Sequence, residues 1–98
     1  MAEQRELKIK IKDEDLKGVY SNLMQVFHTK DEFILDFFFA SPPTGVLSSR
    51  VIMSPGHFKR MLKALNENIG KYEEKFGKIT ESGEPSEREI GFKASGNS

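Results

Sequence analysis

Apolar and polar residues alternate near the start of the chain, where Leu7, Ile9 and Ile11 are interleaved with Lys8, Lys10 and Lys12. A period of two predicts a strand with one solvated face, and lysines along it suit a sheet edge. Charges and a glycine from Asp13 to Gly18 break the pattern and predict a connection. Val19 to His28 and Phe33 to Ala40 are rich in aromatic and β-branched residues and predict two strands. The polar run Thr29-Lys30-Asp31-Glu32 joins them as a hairpin turn, without the glycine that the tightest turns prefer. Ser41-Pro42-Pro43-Thr44-Gly45 predicts a loop, and Val46 to Met53 a further strand.

A helix follows. Ser54 suits the N-cap, Pro55 the first helical position and Gly77 the C-terminal stop. Between them Phe58, Met61, Leu62, Leu65, Ile69, Tyr72 and Phe76 recur at three- and four-residue spacings and form one stripe. At about 1.5 Å per residue the helix is about 33 Å long, longer than a typical strand, so its last turns, with Tyr72 and Phe76, overhang the sheet. After Ile79 the chain turns to Ser, Gly, Glu, Pro and Lys. The expected organisation is a flexible stretch over 1–6, one α+β domain over 7–79 in the order β-β-β-β-α, and a disordered tail over 80–98. The antiparallel sheet then has about four strands, with the long C-terminal helix packed on one face.

Register sorts these strands into two faces. A first turn centred on Lys30-Asp31 places His28 opposite Phe33, Val26 opposite Leu35 and Gln25 opposite Asp36. A second loop centred on Pro42-Pro43 places Asp36 opposite Arg50 and Leu35 opposite Val51. The first face then carries Tyr20, Met24, Val26, Phe33, Leu35, Phe37, Phe39, Leu47, Val51 and Met53, apolar enough to be the core under the helix. The second carries Val19, Leu23, Phe27, Ile34, Phe38 and Ile52 around a polar row of Gln25, Asp36 and Arg50. Six large apolar side chains exceed what a monomer usually leaves in water, which predicts a symmetric dimer through this face. Covering by the N-terminal strand, the helix overhang or the tail is the alternative. The predicted interface is Leu23, Gln25, Phe27, Ile34, Asp36, Phe38, Arg50 and Ile52, with Tyr72 and Phe76 from the overhang and Asp36 paired with Arg50 across strands.

Composition narrows the function. With 98 residues the chain is one domain with a modest core, which partner subunits would enlarge. Fifteen basic and fifteen acidic side chains balance, so no global field attracts nucleic acid, a membrane or an acidic substrate. Without cysteine there are no disulfides, thiol catalysis or thiolate metal sites. The N-terminus is charged, with no signal-peptide pattern or membrane span, so a cytoplasmic address is expected.

Chemistry has few candidates. His28 and His57 are the two histidines, and the register puts both at the same end of the sheet. With Asp31 or Glu32 they fall short of a ligand set with diagnostic spacing, and surface positions are expected for them. Ser54 has no base placed beside it, and capping accounts for it. His57, Lys59, Arg60 and Lys63 crowd the start of the helix while Glu67, Glu73 and Glu74 come later, against the helix dipole. A phosphate or nucleic-acid backbone would benefit from these cations and the free N–H groups. Counter-charge from Asp31, Glu32 or a second subunit is the favoured explanation, since no DNA-binding motif or glycine-rich phosphate loop accompanies the cluster.

Three stretches carry a resemblance: Val19-Tyr20-Ser21-Asn22, the run from His28 to Phe37, and Arg50-Val51-Ile52-Met53-Ser54-Pro55 with the segment from Lys59 to Ile69. Together they resemble a family of small prokaryotic proteins catalogued as a domain of unknown function, over about Leu7 to Ile79. That resemblance brings no catalytic residues. In topology alone, four antiparallel strands followed by a long helix are similar to the SecB export chaperone, and fold does not imply function. The expectation is a non-enzymatic, homo-oligomeric binding or assembly module without cofactor or metal, a dimer first. A SecB-like protein-binding chaperone, or an anion or nucleic-acid binder, are the alternatives, and no membrane partner is expected.

Overall fold

The structure is a computed structural model, and it describes residues 5–81. Three antiparallel strands, β1 (Leu23–His28), β2 (Phe33–Ser41) and β3 (Thr44–Met53), form a sheet in the order β1-β2-β3, followed by the helix α1 (Pro55–Phe76). The fold is α+β with three strands rather than four. Leu7 to Lys12 form no strand, and Leu7 is 83% exposed, with Ile9 and Ile11 also open to solvent. Alternation assigns faces to a strand that already has a partner, but the backbone still needs an edge to pair with. Instead, Asp13–Lys17 coil into a 3₁₀ turn that ends at Gly18, whose φ of 73° favours glycine. The expectations for residues 1–4 and 82–98 lie outside the described residues.

The β1–β2 register is the one the turn predicts: His28 pairs with Phe33, Val26 with Leu35 and Gln25 with Asp36. Thr29 supplies what the missing glycine would have given. Its N–H donates to the Glu32 carbonyl at 2.9 Å, and its hydroxyl accepts from the N–H groups of Asp31 and Glu32, each at 3.2 Å. The strand β1 begins at Leu23, not Val19; just before it the Asn22 N–H donates to the Phe38 carbonyl at 3.0 Å, and side chains supply the remaining bonds. Asn22 donates from Nδ2 to the Ala40 carbonyl at 2.9 Å and accepts from the Ala40 N–H at 2.8 Å, imitating a ladder step. The Ser21 hydroxyl donates to the carbonyls of Leu23 and Phe38.

Between β2 and β3, Leu35 pairs with Val51 and Asp36 with Arg50 as the loop centre predicts. Beyond Phe37–Ser49 the register shifts, so that Phe38 faces Leu47 and Ser48 is the extra residue of a bulge. The Ser48 hydroxyl donates to the Tyr20 carbonyl at 3.0 Å. This one-residue shift moves Leu47 from the first face, where uniform register puts it, to the second face beside Phe38.

The helix starts and stops where the sequence says. Ser54 Oγ accepts from the His57 N–H at 3.2 Å, and the Gly77 N–H closes the C-terminus on the Glu73 carbonyl at 2.9 Å. Its placement differs from expectation. No residue of α1 is buried, and its contact with the sheet is slight beside the strand-to-strand packing. Phe58 stacks on Phe33 with ring centres 4.2 Å apart, and Phe58 and Met61 are half-buried. From Leu62 onward the stripe is open: Leu65 is 51% exposed and Phe76 65%. The overhang is therefore most of the helix, and beyond the Phe33 end α1 leaves Met24, Val26, Phe39 and Val51 of the first face exposed. Among the described residues the core is Leu23, Leu35 and Ala40, with Asp36 the one buried charge.

Candidate functional site

Pairing places Gln25, Asp36 and Arg50 in one row across the second face, on three adjacent strands. Arg50 meets Asp36 as a two-pronged donor, Nε to Oδ1 at 2.6 Å and Nη2 to Oδ2 at 2.8 Å, the geometry that suits guanidinium to carboxylate. The two partners are unequally placed: Asp36 is 4% exposed, whereas half of the Arg50 side chain faces water. The hydrogen bonds from Arg50 hold the Asp36 carboxyl below the ordinary aspartate range, aided by the positive charge and opposed by burial. The same bonds and the negative charge of Asp36 raise Arg50. The guanidinium also lies 5.8 Å from the Phe27 ring centre, so carboxylate and ring together fix it on this face.

Around this row stand Leu23, Phe27, Ile34, Phe38 and Ile52, joined by Leu47 through the bulge. Ile52 and Phe27 are exposed, Ile34 and Phe38 half-buried, and Leu23 buried. Thus the predicted row and rim come together on one face. Val19 does not join them in the sheet, since it precedes β1. Tyr72 and Phe76 sit side by side near the end of α1, ring centres 5.0 Å apart, and both are exposed. The first face is open as well: Met24, Val26, Phe39 and Val51 are exposed, and a shallow pocket lies by the start of β1, lined by Tyr20, Ser21, Asn22, Leu23, Met24 and Phe37. Sequence reasoning counted this face, and Leu62, Leu65 and Ile69 of the stripe, as core. The overlooked signal is the single residue, Ser54, between β3 and α1, which leaves no loop with which to reverse the chain.

At the other end, His28 packs on Phe33 at 5.3 Å and Phe33 stacks on Phe58, which places the two histidines near one end of the sheet. Among the described residues no group of three or more His, Cys, Asp or Glu side chains is gathered for a metal ion. The first turn of α1 holds no acid, and the ion pair among the described residues is Asp36–Arg50. Among the described residues Asp31 and Glu32 form no ion pair with His57, Lys59, Arg60 or Lys63. Both acids stay with the hairpin turn, where their N–H groups are held by Thr29. Among the described residues no helix is long and apolar enough to cross a membrane.

A family model described as "Protein of unknown function (DUF3467)" matches residues 1–81. No curated protein matches the chain, and no solved structure matches it. The resemblance to a family of unknown function is thereby shown. The likeness to SecB is not, and the fourth strand on which it depended is absent from the described residues.

Proposed function

The chain belongs to the DUF3467 family of proteins of unknown function, and we propose that it is a non-enzymatic, homo-oligomeric assembly module, a dimer in its simplest form. One observation carries this reading. Apolar side chains stand at regular positions on both sheet faces and along α1, yet among the described residues only Leu23, Leu35 and Ala40 are buried. A domain of this length is stabilised by taking such surface out of water, and so small a core falls well short of the usual burial. A second copy presents the same surfaces, and a two-fold contact repeats each favourable pairing. Such surface lies on both sheet faces and on α1; on the second the Asp36–Arg50 row already has its hydrogen bonds satisfied, and Leu47 joins the predicted rim. Sedimentation equilibrium of the full chain at micromolar concentration tests the reading. A dimer or larger assembly is expected, and a folded monomer would overturn it.

Anion or nucleic-acid binding ranks second, supported by the acid-free first turn of α1 and its four cationic or imidazole side chains. That reading predicts salt-dependent binding lost on replacing Lys59, Arg60 and Lys63 together. A chaperone-like holder of extended chains predicts apolar dye binding that persists after assembly. A plain assembly module shows neither.

A further inference from the structure

We propose that α1 of each copy crosses to a second copy and lies along that copy's first sheet face, so that the two chains exchange helices. This rests on the self-association reading and names how it is built. The joint between β3 and α1 is the starting point. β3 ends at Met53 and α1 begins at Pro55, and the one residue between them, Ser54, is extended at φ −71° and ψ 157° and already serves as the N-cap. Doubling a helix back over the sheet it follows takes a loop of about 2–6 residues. Pro55 further fixes the first helical φ, and the Phe33–Phe58 stack holds the first turns against the end of the sheet. The stripe beyond Met61 is therefore kept off its own sheet and is free to reach another.

The first face is the one that matches it. No Lys, Arg, Asp or Glu stands on it along Met24–Val26, Leu35–Phe39 and Val51–Met53, whereas the second face carries the Asp36–Arg50 row. An apolar stripe set on the second face would press against that ion pair; on the first it meets Met24, Val26, Phe37, Phe39 and Val51. Lengths agree. Leu62 to Phe76 spans about 21 Å of helix, and β2 with its nine residues spans about 30 Å. Roughly half of each large side chain along the stripe, and two-fifths of each open one on the first face, is accessible. At about 200 Å² for a large apolar side chain, one helix-on-sheet contact removes roughly 800 Å² from water. Two-fold symmetry doubles this to about 1,600 Å², the size of a standard stable interface.

The absence of cysteine makes the geometry directly testable. The variants Val26→Cys and Leu65→Cys of the full chain, distinguished by a mass tag, are refolded together and treated with a short bismaleimide. The expected product joins one chain of each kind, in about tenfold or greater excess over either like-with-like product, since held proximity raises the effective concentration. The pair Val51→Cys with Ile69→Cys gives the same readout where either first variant fails to fold. A dimer whose cross-links join Leu65→Cys to Leu65→Cys means that helix pairs with helix, which overturns the exchange and leaves self-association standing. An intrachain link in the Val26→Cys, Leu65→Cys double variant means that α1 folds onto its own sheet, with the same consequence. A monomer by sedimentation overturns both.

Discussion

The strand β2 is strongly apolar and the helix α1 carries a continuous apolar stripe, yet β2 contains Leu35, Asp36 and Ala40, three of the four buried residues described, while α1 contains none. A central strand cannot complete its backbone hydrogen bonds without neighbours on both sides, so forming it brings three segments together and burial comes with pairing. A helix completes its bonds within itself, and the stripe it organises can remain in water until something covers it. Secondary structure is therefore no measure of how much of this chain's folding free energy one copy can supply.

The sharpest way to break this comparison is to put a charge in the stripe. Leu65→Asp is expected to raise the dissociation constant of the assembly by about 100-fold or more, roughly 3 kcal/mol, seen by sedimentation, because a carboxylate would be trapped in an apolar contact. A monomeric helix with Leu65 in water would be nearly indifferent to it. In the sheet, Leu35→Ala removes a side chain that is 2% exposed and is expected to cost about 2–4 kcal/mol in chemical denaturation. The effect belongs to the single chain as well as to the assembly, so equal losses at Leu35 and Leu65 in a monomer would erase the contrast.

Smaller changes sharpen it. Asp36 is lowered in the folded chain by its bonds to Arg50, so its contribution is complete above the ordinary aspartate pKa of about 4 and is lost as pH falls through the lowered folded value. Acid should weaken the wild-type chain more than Asp36→Asn, as a pH series of denaturation midpoints would show. The effect should be smaller than that of Leu35→Ala because Arg50 keeps half of its side chain in water. A double-mutant cycle on Asp36 and Arg50 that finds no coupling would remove the pair from consideration. Smallest is a gain: nothing lies within 4 Å of a methyl group added at Gly70, so Gly70→Ala should stabilise α1 by about 0.8–1 kcal/mol, read from the thermal midpoint. A loss there would mean that something packs against Gly70 in the assembly.

The row Gln25, Asp36 and Arg50 was legible without coordinates because a polar turn flanked by alternating residues sets the pairing for the whole hairpin. The helix ends were legible because caps are local chemistry, as Ser54 and Gly77 show. Leu47 was misplaced because a bulge is decided by backbone pairing and by the distant Ser48–Tyr20 bond, and it reverses every face assignment beyond it. The alternation of Leu7, Ile9 and Ile11 is real and predicts a strand, but no sheet edge among the described residues receives them.

By itself the sequence determined the hairpin register, the ionic row, the limits of α1 and its apolar stripe, since each depends on residues close together or on one turn. Only the tertiary structure decided that the sheet has three strands, that Leu47 joins the second face, and that α1 leaves the sheet instead of covering it. Periodicity tells a side chain which way to point, whereas what it meets depends on how the connections let the elements approach one another. In this chain the single residue between β3 and α1 settles that approach.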